Sequence, residues 1–185
     1  MIFREVEDRD LILKARRQNV DAYNLLVSRW EKRIYNYLLR LVNNRDDAMD
    51  LSQEVFLKAY QNLHRLDDPG RFGPWLFRIA HNEAYSWLRK PRPGDEPAPE
   101  HLTTFSSSRL LPLETSLAIE RALERLTLDQ REAVLLKTHH GFKFEEIAEI
   151  LETPVSTIKS RVYTGLERLK EYLAPAPLGR SGREE

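Results

Sequence analysis

Apolar residues recur at steps of three and four through most of the chain, the spacing that lines one face of an α-helix. No stretch alternates with the two-residue period of a half-buried strand. Leu11, Ile12 and Ala15 mark a short first helix, and Ala22, Leu25, Leu26, Trp30, Ile34, Tyr37, Leu38 and Leu41 mark a long second one. Asn43-Asn44 ends it. Asp46 and Asp47 then suit the positive end of a third helix dipole, whose inner face is Leu51, Val55, Phe56, Ala59, Tyr60 and Leu63, with Asp50, Gln53, Glu54 and Lys58 outside. Asp67-Asp68-Pro69-Gly70 reads as a turn, after which Gly73-Pro74 launches a fourth helix through Trp75, Leu76, Ile79, Ala80, Ala84 and Leu88.

Near the C-terminal end, EEIAEILETPVSTIKSRVYTGLERLK holds two amphipathic segments broken at Thr153-Pro154. The residue before proline is driven out of the helical region, while proline is tolerated where a helix begins, so the pair predicts a turn and a restart. Ile147, Ala148, Ile150 and Leu151 bury the first segment; Val155, Ile158, Val162, Leu166, Leu169 and Leu173 bury the second. The second segment thus turns a face of hydroxyl, cationic and aromatic side chains outward. Helix, tight turn and second helix with such a face is the pattern of a helix-turn-helix, whose second helix enters the major groove. It equally fits any helical hairpin with a solvated cationic face.

Composition narrows the picture. Residues 91–113 hold five of the ten prolines and a serine run, so they predict a linker between two helical domains, 1–90 and 114–174, with 175–185 a disordered tail. Cysteine is absent, which removes disulfides and thiolate metal sites and suits a reducing cytosol. No run of about 18 apolar residues occurs, so a soluble chain without membrane insertion is expected. The 29 cationic and 29 anionic side chains cancel, which disfavours strong autonomous binding to nucleic acid. Positive charge is local instead: Arg71, Arg78, Arg89 and Lys90 oppose Glu83 alone in residues 71–90, and Lys159, Arg161, Arg168 and Lys170 oppose Glu167 alone in residues 155–170.

Residues 71–90, RFGPWLFRIAHNEAYSWLRK, join rings to cations, as single-stranded nucleic acid requires of its binders. Trp75 and Phe77 near the helix start read as core, and Phe72, Asn82, Tyr85 and Arg89 as the wet face. His139-His140 lie beside carboxylates, but adjacent positions on a helix point apart and no third ligand has suitable spacing, so neither catalysis nor a metal site is expected.

In order and spacing, DDAMDLSQEVFLKAY, WLFRIAHNEAYSWLRK and LTLDQREAVLLKTHHGFKFEEIAEILETPVSTIKSRVYTGLERLK resemble the segments of a sigma-70 family sigma factor, of the small extracytoplasmic-function (ECF) type. The resemblance covers about residues 10–90 and 114–173. It implies an all-α fold of two small helical domains, region 2 and region 4, joined by a Pro/Ser-rich linker. It also implies a cytoplasmic factor without cofactor that binds core RNA polymerase, at the β′ clamp helices and β flap, and directs initiation at chosen promoters. Asp50, Gln53 and Glu54 of DLSQEVF would then meet the clamp helices. Arg71, Phe72, Arg78, Asn82 and Arg89 would contact the non-template strand of an opened minus-10 element, with one base flipped out. Thr157, Lys159, Ser160, Arg161, Tyr163 and Thr164 would face the minus-35 major groove. The linker would thread toward the polymerase active site, and an anti-sigma partner would hold the factor inactive.

The chain departs from the family pattern at four positions. Ser86 stands where many members have aspartate, and Thr164 where a cationic residue is common. Glu152 replaces a frequent glycine in the turn, so either a slightly different turn or a residue holding an unfavourable positive φ is expected there. Gly165 lies inside the recognition helix, at a cost of about 1 kcal/mol relative to alanine. A stand-alone helix-turn-helix regulator with a helical sensing or dimerisation domain is the alternative that the residues leave open.

Overall fold

A computed structural model of the chain describes residues 6–90 and 113–174. The predicted linker and tail lie outside these residues, apart from Leu113, which begins a helix. Among the described residues there are eight α-helices and no strand. The N-terminal four are α1 (Asp8–Ala15), α2 (Val20–Val42), α3 (Arg45–Asn62) and α4 (Phe72–Leu88); α5 (Leu113–Glu124), α6 (Leu128–Thr138), α7 (Phe144–Ile150) and α8 (Val155–Leu173) follow.

Local chemistry sets the boundaries. Asn19 caps α2 by accepting the Ala22 N–H at 2.8 Å. Asn43 ends α2 in the left-handed region, at φ 52°, while Asn44 accepts from the Asp46 and Asp47 N–H groups and opens α3. One dipeptide thus closes a helix and starts the next, as asparagine's tolerance of both roles permits. Asp68 accepts the Gly70 N–H in the turn before α4, and Thr127 with Gln130 forms a capping box on α6.

In the N-terminal set α2 packs along α1 and α3, and α4 packs across α2 and α3. The buried stripe of α2 runs through Tyr23, Leu26, Ile34, Tyr37, Leu38 and Leu41. Leu25 is 52% exposed: Tyr23 and Leu26 take the centre of the face, which leaves Leu25 on its flank. Phe72 corrects the reading of a wet face, since it is only 2% exposed. As the first residue of α4 it lies edge-on to Trp30, with ring centroids 5.7 Å apart, and against Trp75. Phe77 is fully buried, as expected, whereas Trp75 is half-buried.

In the C-terminal set α8 packs on α5, α6 and α7. The break between α7 and α8 puts Glu152 at φ 49°, so of the two outcomes that the turn pattern leaves open the chain takes the positive-φ one. The Thr153 N–H donates to the Ala148 carbonyl at 3.0 Å, closing the left-handed cap that ends α7. Gly165 has a packing reason: an added Cβ would stand 2.7 Å from Val134 Cγ2 of α6. Because the position that faces α6 is a glycine, Leu166 falls to the edge of the stripe and is 39% exposed.

The two sets meet where α4 packs on α7 and α2 touches α6. Glu132 of α6 is buried there, and its carboxyl accepts hydroxyl hydrogen bonds from Tyr37 and, at 2.9 Å, from Tyr85. His81 Nδ1 lies 2.8 Å away. All three partners belong to the N-terminal set. Burial, then the neighbouring Glu132, pushes the Tyr37 and Tyr85 phenols well above their ordinary range. Beside this network the His140 ring lies 4.6 Å from Phe77 and 5.9 Å from Tyr37, and its Nε2 has no protein partner. Burial, followed by the charges of His139, Arg33 and Arg40, lowers its pKa from 6.5 to about 3.

Two substitutions test this packing. Gly165→Ala should destabilise the protein by about 1–3 kcal/mol in urea unfolding, because α8 must move off α6; a gain of about 1 kcal/mol, as in an open helix, would refute the close approach. The native state holds His140 neutral, so unfolding takes up a proton below pH 6.5 and stability falls as the pH drops toward 3. From about pH 7.5 to about pH 5.5 this one group should remove about 1.4 kcal/mol. His140→Phe should lose that component of the pH dependence; identical pH profiles for variant and parent would contradict it.

Candidate nucleic-acid interface

The second helix of the helix-turn-helix presents the predicted residues unequally. Lys159, Ser160 and Tyr163 are exposed, and Thr157 and Thr164 half-buried. Arg161 is drawn back: its Nη2 donates to Asp129 Oδ2 at 2.5 Å. Arg168 similarly donates to Gln130 at 3.0 Å. Phe144, at the start of α7, lies beneath the cations, with Lys137 Nζ 4.6 Å and Lys159 Nζ 5.7 Å from the ring centre. The Tyr163 ring lies 6.0 Å from the same phenyl. The projecting tip is therefore Lys159 with Tyr163, and Arg161 braces α8 on α6.

A second face runs along α4. Arg71, Arg78, Asn82 and Arg89 are all exposed. Asn82 and Arg78 open onto a cleft of about 290 Å³ that Trp75, Lys58, Asn62 and Arg65 also line. Residues 75, 78, 79 and 82 share one helical face, and that spacing was a signal that would have placed Trp75 here. Lys58 is held by Glu83 at 2.7 Å and Glu54 at 3.5 Å, and the hydrogen bond it donates to Glu83 raises its pKa.

The same face also carries two ion pairs. Arg71 Nη2 reaches Glu149 Oε2 at 2.5 Å. Arg78 grips one oxygen of Glu152 with both Nε and Nη2, at 2.9 and 2.6 Å.

The third face lies between α2 and α3. Gln53 lines an apolar groove of about 650 Å³ with Met49, Ser52, Phe56, Val27 and Tyr35. Asp50 is exposed near this groove, while Glu54 is half-buried beside Lys58. Of the three polar residues named from the sequence only Gln53 lines the groove, and the sequence reading missed its apolar floor, where Met49 is exposed although methionine usually fills cores.

No helix among the described residues is long and apolar enough to cross a membrane, and none of their acidic and histidine side chains form a cluster able to hold a metal ion.

The family model for sigma-70 region 2 matches residues 26–93, and that for sigma-70 region 4 matches residues 116–169. The chain is 30% identical to the RNA polymerase sigma-H factor of Pseudomonas aeruginosa, over 91% of this chain and 95% of that one. It is 31% identical to the ECF RNA polymerase sigma factor SigW of Bacillus subtilis, covering 88% and 94%. The ECF sigma-E factor of Escherichia coli is also 31% identical, covering 92% and 96%. Among solved structures, CnrH bound to the cytosolic domain of CnrY superposes with a TM-score of 0.68 at 25% identity, covering 90% of this chain and 96% of that one. The sigma factor RpoE of Bartonella quintana, bound to the anti-sigma factor NepR, gives 0.63 at 25% identity over 82% and 96%. With both helical domains matched in order and relatives aligned along nearly their full length, the chain belongs to the ECF sigma factors of the sigma-70 family.

Proposed function

We propose that the chain directs core RNA polymerase to promoters by dividing the work among its three faces. The apolar groove between α2 and α3, lined by Gln53, docks on the β′ clamp helices, with Asp50 and Glu54 as further polar contacts. Along α4, Arg71, Arg78, Asn82 and Arg89 hold the non-template strand of the minus-10 element. The cleft beside Trp75 takes an unstacked base, where stacking and neighbouring cations offset an unpairing cost of a few kcal/mol. Phe72 supports this face from the core. The C-terminal domain engages the β flap and lays α8 into the minus-35 major groove. There Lys159, Ser160 and Tyr163 make the forward contacts, Thr157 and Thr164 flank them, and Arg161 acts through its brace to Asp129.

The observation that carries this reading is the presence, on one chain of zero net charge, of a helix-turn-helix tip and a separate ring-and-cation cleft. Neither has a large basic field around it, so polymerase supplies the affinity and the factor supplies the selection. The domain boundaries that fit are 1–90 and 114–174, with 91–113 spanning between them and 175–185 as a tail. The solved relatives bound to CnrY and to the anti-sigma factor NepR support restraint of this chain by an anti-sigma partner. Function with core polymerase places it in the cytoplasm.

Mixing the purified chain with bacterial core RNA polymerase should give co-elution and transcription from a limited set of genomic start sites. Absence of core binding, with sequence-specific duplex binding by the chain alone, would overturn the reading in favour of a stand-alone regulator. Gln53→Ala with Met49→Ala should weaken core binding about tenfold or more. Lys159→Ala should lower promoter output about tenfold while leaving core binding intact, the size expected for one lost groove contact. A Lys159→Ala protein that transcribes normally would remove that residue from the minus-35 face.

A further inference from the structure

We propose that Arg16, at the end of α1, is a positioning residue for base capture: by holding the Leu63 and Leu66 carbonyls it fixes the loop that carries Asn62 and Arg65 at the cleft beside Trp75. This rests on reading that cleft as the seat of an unstacked base.

Helix α1 contributes to none of the three faces, yet its C-terminal end is closely specified. The Asn19 N–H donates to the Lys14 carbonyl at 3.3 Å and the Gln18 N–H to the Ala15 carbonyl at 3.0 Å, with Gln18 left-handed at φ 64°. Two such bonds around a left-handed residue are the Schellman closure of a helix. Leu11, Ile12 and Ala15 meanwhile bury one side of α1 in the core. From this fixed base the half-buried Arg16 reaches a segment 47 residues further along the chain, where its Nε donates to the Leu63 carbonyl at 3.1 Å. Its Nη2 donates to the Leu66 carbonyl.

The segment after α3 has little else to set its path. One short turn, Leu63–Arg65, is closed by a bond from the Leu66 N–H to the Leu63 carbonyl that is long, at 3.4 Å. Leu63 and Leu66 are buried, and a buried carbonyl deprived of its donor is costly. A guanidinium holds two acceptors with a rigid planar fork, so Arg16 fixes the backbone on both sides of His64 and Arg65. Arg65 lines the cleft together with Asn62, the residue just before the first anchored carbonyl. The Asn62 amide is in turn held by donating to the Lys58 carbonyl at 2.9 Å. Helix α1 also packs on the turn Pro69–Arg71. One helix therefore supports both ends of the loop that enters α4, and Arg16 is its polar tie to the end that borders the cleft.

The test uses the chain bound to core RNA polymerase and a fluorescein-labelled oligonucleotide carrying the non-template minus-10 strand of one of its own start sites, with binding read by anisotropy. Each base is replaced in turn by an abasic site. With the parent chain one position should stand out, losing about tenfold in affinity when its base is removed, the size of one lost base–ring stack. Arg16→Ala should cut that penalty to about twofold or less, while core affinity and the penalties at the other positions stay within about twofold of the parent's. Arg16→Lys keeps the cation without the planar fork; it should give an intermediate penalty, and it carries the test if Arg16→Ala does not fold. A penalty equal to the parent's in the variant that folds, or an equal fall at every position, would overturn the positioning role. A parent chain with no position that stands out would instead overturn the premise, the cleft as a base site.

Discussion

The arrangement of the described residues depends on a single buried carboxyl. Glu132 leaves α6 and enters the N-terminal helices, where Tyr37, Tyr85 and His81 surround it. A buried polar group without partners costs about 1–3 kcal/mol or more, and every partner of this one lies across the interface. The two domains are consequently fixed in register by hydrogen bonding, while Phe77, Phe142 and His140 pack beside the network and exclude water. Its position brings α7 over α4 and places Glu149 and Glu152 within reach of Arg71 and Arg78.

Such an interface differs from a domain core. Its anchor is a polar cluster, its rim is two exposed ion pairs, and one of its buried residues is a histidine held neutral against its ordinary pKa. These features make the packing of the two domains specific, and Phe77 and Phe142, 5.0 Å apart between ring centroids, continue the apolar core across it. The interior of each domain is built otherwise. Within the C-terminal set, α8 approaches α6 so closely that Gly165 is required, and Arg161 and Arg168 tie the recognition helix to Asp129 and Gln130. Rigid domains suit a factor that must engage two separate promoter elements.

Much of this was legible in the sequence. The helices followed from apolar periodicity and the end of α2 from Asn43-Asn44, while a left-handed Glu152 was one of two outcomes that its place in the turn left open. Periodicity does not fix which flank of an apolar stripe faces the partner, so Leu25 and Leu166 were placed inside and lie outside. Nor did it show that the first residue of α4 points inward, which buries Phe72, or that Trp75 borders a cleft. Glu132 gave no local sign of its role: a carboxylate among helix-forming residues reads as solvated until the tyrosines of another domain, distant in sequence, are seen around it. The polar candidates of the polymerase and promoter faces could be named because charge and hydroxyl groups stand out one residue at a time. Their pairing across domains could not, since it depends on tertiary geometry.

In the proposed division of labour one chain presents a polymerase-docking face and two promoter-reading faces. Cryo-electron microscopy of the chain with core RNA polymerase on a promoter recovered from its own start sites tests this most directly. The expected complex has α3 on the clamp helices, α8 in the minus-35 major groove and single-stranded DNA along α4. A complex in which α3 stands off the clamp helices, or the single strand runs elsewhere than along α4, would contradict it.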